Sequence, residues 1–319
     1  MIPLKYTGQL TDYDRFVDEF GKKVLKWCKR GFIYMKNDPL DPVAKELLER
    51  LAKRIKRLAN ARPEELERII GMLMWRYPDL GDKTKVLSKT VYRAFVGNGY
   101  DNKSFPKDEL VRGVNVRVCP YCNRVFVESV KGRKGTVRGE LDHFYPKEKY
   151  PFLAISRYNL VPSCPFCNGV AGKHSADPMD AATRIENPYL IKNHREMRFE
   201  VDIVKMGFLN LETTANAMTV RVDCSGNPRL EANRKMFNLD GLYNCHRDVA
   251  AEIYYKHLMT KSEAYKEFVG KMTGTVGRVD AMMLVWGAPI VEERLGSRPL
   301  GKFTRDVIDQ LYKEQKGEI

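Results

Sequence analysis

Apolar residues recur at helical spacing through the first third of the chain, with lysine and arginine between them. The pattern is clearest after Asp41, at Leu47, Leu48, Leu51, Ile55 and Leu58. Asp41 followed by Pro42 is typical of a helix start, because the carboxylate caps free backbone N–H groups and proline suits the first helical position. Further helices are predicted over residues 11–30 and from Pro63 to just before Pro78.

A β-rich pattern begins near residue 113. Short β-prone pieces at 124–128 and 136–141 flank a turn at 131–135, which predicts a hairpin. A strand is predicted at 197–204, helix from 242 to 258 and on to about 270, and a last helix at 304–313. The prediction is an α+β protein with a helical N-terminal region (1–112), a central unit (113–190) and a mixed, mostly helical C-terminal region (191–319).

The net charge of the chain indicates what kind of partner it binds. The chain has 319 residues, with 55 Lys and Arg against 41 Asp and Glu, a formal net charge of +14. Such a surplus favours a polyanionic partner, nucleic acid above all, although a solvated basic surface is the simpler alternative. No run of about 18 apolar residues predicts a membrane span, and the N-terminus lacks the order of a secretory signal. A cytoplasmic protein is expected.

Four of the seven cysteines form two Cys-x-x-Cys pairs, Cys119/Cys122 and Cys164/Cys167. Two such pairs are typical of a closed four-thiolate zinc site, which here would join segments 42 residues apart. Cys-Pro-Tyr-Cys is also an active-site sequence of glutaredoxin-like oxidoreductases, but the β-prone residues after it and the second copy favour structural zinc. Asn123 is expected in a turn or cap. The remaining cysteines are expected to be buried thiols: Cys28, Cys224 and Cys245.

A second set of residues lies around the second pair. In order along the chain are Leu141-Asp142-His143-Phe-Tyr-Pro146, Tyr158-Asn159-Leu160, Cys164-Pro-Phe-Cys167-Asn168 and Lys173-His174. This order resembles the His-Asn-His (HNH) nuclease motif with its ββα-metal fold, over residues 117–175. The central unit would then be an HNH core with the zinc site.

The resemblance implies a role for each residue. His143 would be the general base, and Asp142 and Asn168 would offer oxygen atoms to a catalytic Mg²⁺ or Mn²⁺. Asn159 would pin the loop that supports the histidine-bearing strand, and Asn168 would begin the helix after the second pair. Adjacent strand residues face opposite ways, so Asp142 and His143 are expected where the strand ends or twists. His143 could instead be a satisfied core residue, and Asn168 a helix cap.

Several cations near the motif could contact phosphates, or could simply be solvated charges. These candidates are Lys173, His174, Lys147, Lys149 and Arg138.

A wider set of residues is similar to the HNH subunits of Septu-type and retron-linked phage-defence systems. It includes residues 143–151, Asn187-Pro188, residues 237–243 and His246-Arg247. The resemblance implies a defence role beside an ATPase subunit, and no Walker-type phosphate loop occurs in this chain. The function expected is a metal-dependent endonuclease, with DNA favoured over RNA. The alternative is a zinc-stabilised nucleic-acid-binding module, or a partner subunit without its own catalysis.

Overall fold

A computed structural model of the protein describes residues 1–34, 38–203, 211–288 and 291–316. The fold is α+β as predicted, with helices in the N-terminal and C-terminal regions and small sheets between them. Residue 204 of the strand predicted at 197–204 lies outside the described residues.

The N-terminal helices are α1 (Thr11–Arg30), α2 (Pro42–Lys53), α3 (Ile55–Asn60), α4 (Pro63–Arg76), α5 (Val86–Tyr92) and α6 (Lys107–Arg112). Helix α2 begins as its sequence indicates, because the Asp41 carboxylate accepts a hydrogen bond from the Ala44 N–H at 3.0 Å. Its leucines are buried, as the periodicity predicts. The helical run breaks at Arg54, where α3 begins.

Helix α5 continues directly into a π-helical segment, Arg93–Tyr100. Such wide turns are rare and often lie at functional sites, because they shift the direction of the side chains that follow. The segment ends at Tyr100, whose ring contacts His143 of the central unit.

Three antiparallel two-stranded sheets are present in the described residues: β1 (Val130–Gly132) with β2 (Gly135–Val137), β3 (Glu140–His143) with β4 (Leu160–Ser163), and β5 (Arg198–Ile203) with β6 (Met218–Asp223). The predicted hairpin around 131–135 exists, but it is shorter than expected. Residues 124–128 contribute only an isolated bridge between Phe126 and Val118. Residues 140–141 belong to β3, which pairs with β4 instead.

The central unit contains the short helix α7 (Pro165–Asn168). The C-terminal helices are α8 (Leu211–Asn216), α9 (Pro228–Met236), α10 (Leu239–Asn244), α11 (Arg247–Met259), α12 (Glu263–Val276), α13 (Arg278–Trp286) and α14 (Gly301–Lys316). The stretch predicted as helical from 242 to 258 is divided between α10 and α11, and the further helix predicted to about 270 is α12, which continues to Val276. Asn238, in a left-handed conformation, caps α10.

Buried apolar residues of all three regions form one connected core. Tyr13 of α1 illustrates the contact, because its hydroxyl lies 2.8 Å from the Ala59 carbonyl oxygen and 2.7 Å from that of Ile155. Cys28 and Cys224 are buried as expected, but the prediction for Cys245 is wrong because its thiol is exposed at the end of α10. Among the described helices, none combines the length and apolarity needed to cross a membrane.

Candidate metal centre and active-site groove

The four paired cysteines converge in the interior, with their sulfur atoms all within 4.8 Å of one another: Cys119, Cys122, Cys164 and Cys167. Cys122 Sγ lies 3.8 Å from Cys164 Sγ. Tetrahedral zinc with Zn–S bonds of about 2.3 Å would separate its sulfurs by about 3.8 Å, so the cluster has the dimensions of a structural zinc site. The thiols titrate as a coupled set: hydrogen bonds from Cys119 lower the pKa of Cys164, whereas burial raises the pKa of Cys119 well above its usual value. A bound metal would favour the thiolate form of all four. We refer to these residues as the four-cysteine cluster.

The first Cys-x-x-Cys turn is fixed by the C-terminal region. Asn123 takes a left-handed conformation and donates its backbone N–H to the Cys119 carbonyl at 2.7 Å, which confirms the expected turn. Its side chain accepts the Lys302 N–H at the start of α14. The Tyr243 hydroxyl donates to the Cys122 carbonyl at 2.7 Å, inside the core.

Strands β3 and β4 place the next residues. Asp142 pairs with Val161 and His143 with Leu160, and β3 ends at His143. The two side chains therefore leave the strand at its end, in different directions.

Asn159 supports this strand end from inside. It is fully buried, and its Oδ1 accepts the Tyr145 N–H at 2.7 Å. Its Nδ2 donates to the carbonyls of Tyr145 and Leu153, both at 3.2 Å. The side chain thus ties together the loop that follows His143.

Both carboxylate oxygens of Asp142 have buried partners. Lys173 Nζ lies 2.9 Å from Oδ1 and also 2.9 Å from the His143 carbonyl. The Tyr121 hydroxyl donates to Oδ2 at 2.7 Å. Since Lys173 is 1% exposed and already has two partners, its ammonium holds the strand end and does not face a phosphate in this structure.

His143 is 8% exposed and its Nε2 lies 3.1 Å from the Ala154 carbonyl. The Tyr100 ring packs edge-on against the imidazole, with centroids 4.4 Å apart. Burial, with a further contribution from the charge of Lys147, lowers the pKa of His143 to about 3. The imidazole is therefore neutral near neutral pH.

Asn168 is the last residue of the short helix α7, not the first residue of a longer one, so that expectation is wrong. The physical reason is the glycine pair that follows. A Cβ on Gly172 would lie 2.3 Å from the Cys167 carbonyl oxygen, so the chain can turn back there only without a side chain. Asn168 Nδ2 donates to Glu140 at 2.7 Å.

Asp142, His143 and Asn168 line one open groove of about 890 Å³. Glu140 and Tyr100 line it as well, so the N-terminal region contributes one wall. The lysine and arginine residues that line the groove are Lys83, Arg138 and Lys147, and its acidic residues are Glu140, Asp142 and Glu148. His174 lines it as well.

The other predicted phosphate contacts differ in availability. Lys147 Nζ lies 5.3 Å from the Tyr100 ring centroid, and His174 is exposed with a positive φ of 44°. Arg138 forms an ion pair with Asp108 at 3.2 Å, and Lys149 lies outside the groove, paired with Asp177 at 2.6 Å.

Three residues near this site were missed by the sequence analysis: Tyr121, Tyr100 and Glu140. Tyr121 lies inside the first Cys-x-x-Cys pair, so its place beside the cluster was readable from the sequence, but its bond to Asp142 was not. Glu140, two residues before Asp142, shares its face of β3 and could have been found from strand periodicity. No sequence signal links Tyr100 to His143, 43 positions away.

Two curated proteins are similar to this chain. Over 80 residues it is 36% identical to the Septu protein PtuB of Bacillus thuringiensis, covering 25% of this chain and 28% of that protein. Over 203 residues it is 25% identical to protein ea31 of Escherichia phage lambda, covering 61% of each. The chain thus spans about a quarter and about three fifths of these relatives' lengths. No protein-family model and no solved structure matches the chain.

Proposed function

We propose that the protein is a metal-dependent HNH endonuclease that hydrolyses phosphodiester bonds of nucleic acid, with DNA the favoured substrate. One observation carries the proposal: Asp142, His143 and Asn168 line a single open groove, as the order of the motif implies, and Lys83, Arg138 and Lys147 line it too. A binding module would need the cations, but it has no use for a neutral imidazole beside a carboxylate.

His143 is suited to the role of general base. A backbone carbonyl can only accept a hydrogen bond, so the contact with Ala154 assigns the proton to Nε2 and leaves the lone pair on Nδ1. The lowered pKa keeps this nitrogen unprotonated at neutral pH but also makes it a weak base, so the bound cation would have to lower the pKa of the attacking water. Nδ1 can then accept a proton from a water that attacks phosphorus. Tyr100, packed edge-on, restricts rotation of the ring.

The oxygen donors suit a hard divalent cation. Each carboxylate oxygen of Asp142 keeps a second acceptor site beyond its present partner. Because Nδ2 of Asn168 is committed to Glu140, its Oδ1 is the atom available to a cation. Asp142 and Asn168 would hold Mg²⁺ or Mn²⁺, which would supply charge stabilisation to the phosphate during hydrolysis. The oxygen atoms of Asp142 and Asn168 therefore fit a bound Mg²⁺ or Mn²⁺.

The substrate backbone would be bound by the cations of the rim. Lys147 and His174 line the groove without an ion-pair partner among the described contacts, and Arg138 could exchange Asp108 for a phosphate. Lys173 would act on the substrate only through Asp142.

The biological setting is proposed from the Septu relative and the wider motif. We infer a nuclease subunit in anti-phage defence, working in the cytoplasm with an ATPase subunit supplied by another chain.

A second candidate is a zinc-stabilised nucleic-acid-binding module without catalysis. One observation favours it: both oxygens of Asp142 are already bonded, to Tyr121 and Lys173, which reduces the charge that Asp142 can offer to a cation.

The test is cleavage of supercoiled plasmid with Mg²⁺ or Mn²⁺ by zinc-loaded protein. His143→Ala should abolish cleavage while zinc content stays at one ion per chain. His194→Ala is the matched control, since His194 is also buried but lies outside the groove, and it should keep cleavage. Cleavage equal in wild type and His143→Ala would contradict the assignment. Plasmid binding without cleavage, with or without an ATPase partner, would favour the binding module.

A further inference from the structure

Tyr121 stands between the two cysteines of the first pair, yet its hydroxyl lies 2.7 Å from Asp142. We propose that Tyr121 is a positioning residue that holds the Asp142 carboxylate for the catalytic cation and so couples the four-cysteine cluster to the active-site groove. The inference rests on the proposed function, because it takes Asp142 as a ligand of that cation.

The Tyr121 ring has almost no freedom to move. It is fully buried, and it stacks on Phe237 with centroids 4.6 Å apart and an angle of 26° between the planes. The backbone on both sides is fixed by the cluster cysteines and by the Tyr243 hydroxyl on the Cys122 carbonyl. A hydroxyl on such a ring is a rigid donor, and it therefore sets the direction of the carboxylate it bonds.

The carboxylate is held at both ends. Lys173 bonds Oδ1 and Tyr121 bonds Oδ2; Tyr121 lies within the first cysteine pair and Lys173 follows the second pair. With both oxygens bonded, the carboxylate plane cannot turn about the Cβ–Cγ bond without breaking a buried hydrogen bond. The remaining acceptor sites then point in set directions before any cation arrives, which lowers the cost of binding.

This arrangement makes the position of the Asp142 carboxylate depend on the four-cysteine cluster and on the C-terminal region. Loss of the cluster would release the Tyr121 loop and with it one anchor of Asp142. Phe237, the first residue of the 237–243 segment, stacks on the Tyr121 ring. The segment would therefore affect cation affinity without contacting the cation.

The experiment is a titration of zinc-loaded protein with Mn²⁺, followed by electron paramagnetic resonance of free Mn²⁺, so that affinity is read without cleavage. Tyr121→Phe keeps the stacked ring and removes only the hydroxyl. Mn²⁺ affinity should fall by about tenfold, the usual effect of losing a partner that orients a metal ligand, with zinc content unchanged. Tyr150→Phe is the matched control, because it also loses one tyrosine hydroxyl bond to an aspartate, the 2.8 Å bond to Asp177, but none to Asp142, and its Mn²⁺ affinity should match wild type.

The outcomes separate this inference from the proposed function. If wild type binds no Mn²⁺, or if Asp142→Asn binds it as wild type does, the proposed cation site itself is overturned. If Asp142→Asn loses Mn²⁺ but Tyr121→Phe retains full affinity, only the positioning role is overturned. Should Tyr121→Phe lose zinc, Phe237→Leu decides, because it loosens the ring and keeps the hydroxyl: weaker Mn²⁺ binding supports the role and unchanged binding refutes it.

Discussion

Replacing Lys173 by methionine should be among the most damaging single changes near the groove. The ammonium forms a buried ion pair with Asp142, with side chains 0% and 3% exposed. Methionine fills a similar volume but leaves the Asp142 charge, whose side chain is 3% exposed, without its cation. Removing one partner of a buried pair costs about 3–5 kcal/mol, because the other charge stays buried and unpaired.

The size of the effect can be measured by thermal unfolding of the zinc-loaded protein. For a chain of this length the unfolding entropy is large, so about 3–5 kcal/mol corresponds to a decrease in Tm of about 5–7 °C. Adding Asp142→Asn to Lys173→Met removes the unpaired carboxylate charge and should recover part of the lost Tm. The double variant should be more stable than Lys173→Met alone.

Lys302→Met provides the comparison. Lys302 forms an equally buried pair with Asp306, with side chains 0% and 4% exposed, but in helix α14 and away from the groove. Both lysine variants should lose stability, whereas only Lys173→Met should also change Mn²⁺ affinity, because only Lys173 contacts Asp142. A Tm within 1 °C of wild type for Lys173→Met, or no recovery in the double variant, would refute the buried pair as the anchor of Asp142.

Four further predictions follow from the same structure. Lys147→Ala should lower the salt dependence of nucleic-acid binding by about one unit of slope in a log–log plot, measured by fluorescence anisotropy; an unchanged slope would exclude Lys147 from phosphate contact. Asn159→Ala should destabilise the fold by about 2–4 kcal/mol, since it leaves buried backbone groups of the loop unsatisfied, and urea unfolding would measure it. Burial, and then the charge of Arg124, lower the pKa of His246, so the unfolded chain gains a proton below about pH 6.5 that the folded chain does not. The free energy of unfolding should therefore decrease as the pH falls below about 6.5, and it should decrease less in His246→Gln. The same pH dependence of unfolding in wild type and His246→Gln would contradict this. Cys122→Ser should abolish zinc binding, and zinc retained at one ion per chain would argue against the four-cysteine cluster as the site.

Local chemistry explains which elements could be predicted. The helix starts at Asp41-Pro42 and Pro63 depend on groups within one turn of each other, and the structure places both helices there. The two-residue gap of each Cys-x-x-Cys pair likewise lets a tight turn direct both sulfurs at one ion, and the four sulfurs converge as that spacing indicates. The break between α10 and α11 inside the stretch predicted as helical from 242 to 258 was missed, because no glycine or proline marks it. The helices on either side pack against β6, α8 and α14, contacts that local sequence does not encode.

For the candidate site, the sequence by itself determined the identities and order of His143, Asp142, Asn159 and Asn168. It could not determine what each side chain faces. Only the tertiary structure decided that Lys173 is an internal partner of Asp142, that Tyr121 bonds the same carboxylate, and that Tyr100 packs on His143. The physical reason is that hydrogen bonds and burial depend on distances between residues far apart in the chain, and a cation looks the same in sequence whether it faces solvent or a buried carboxylate.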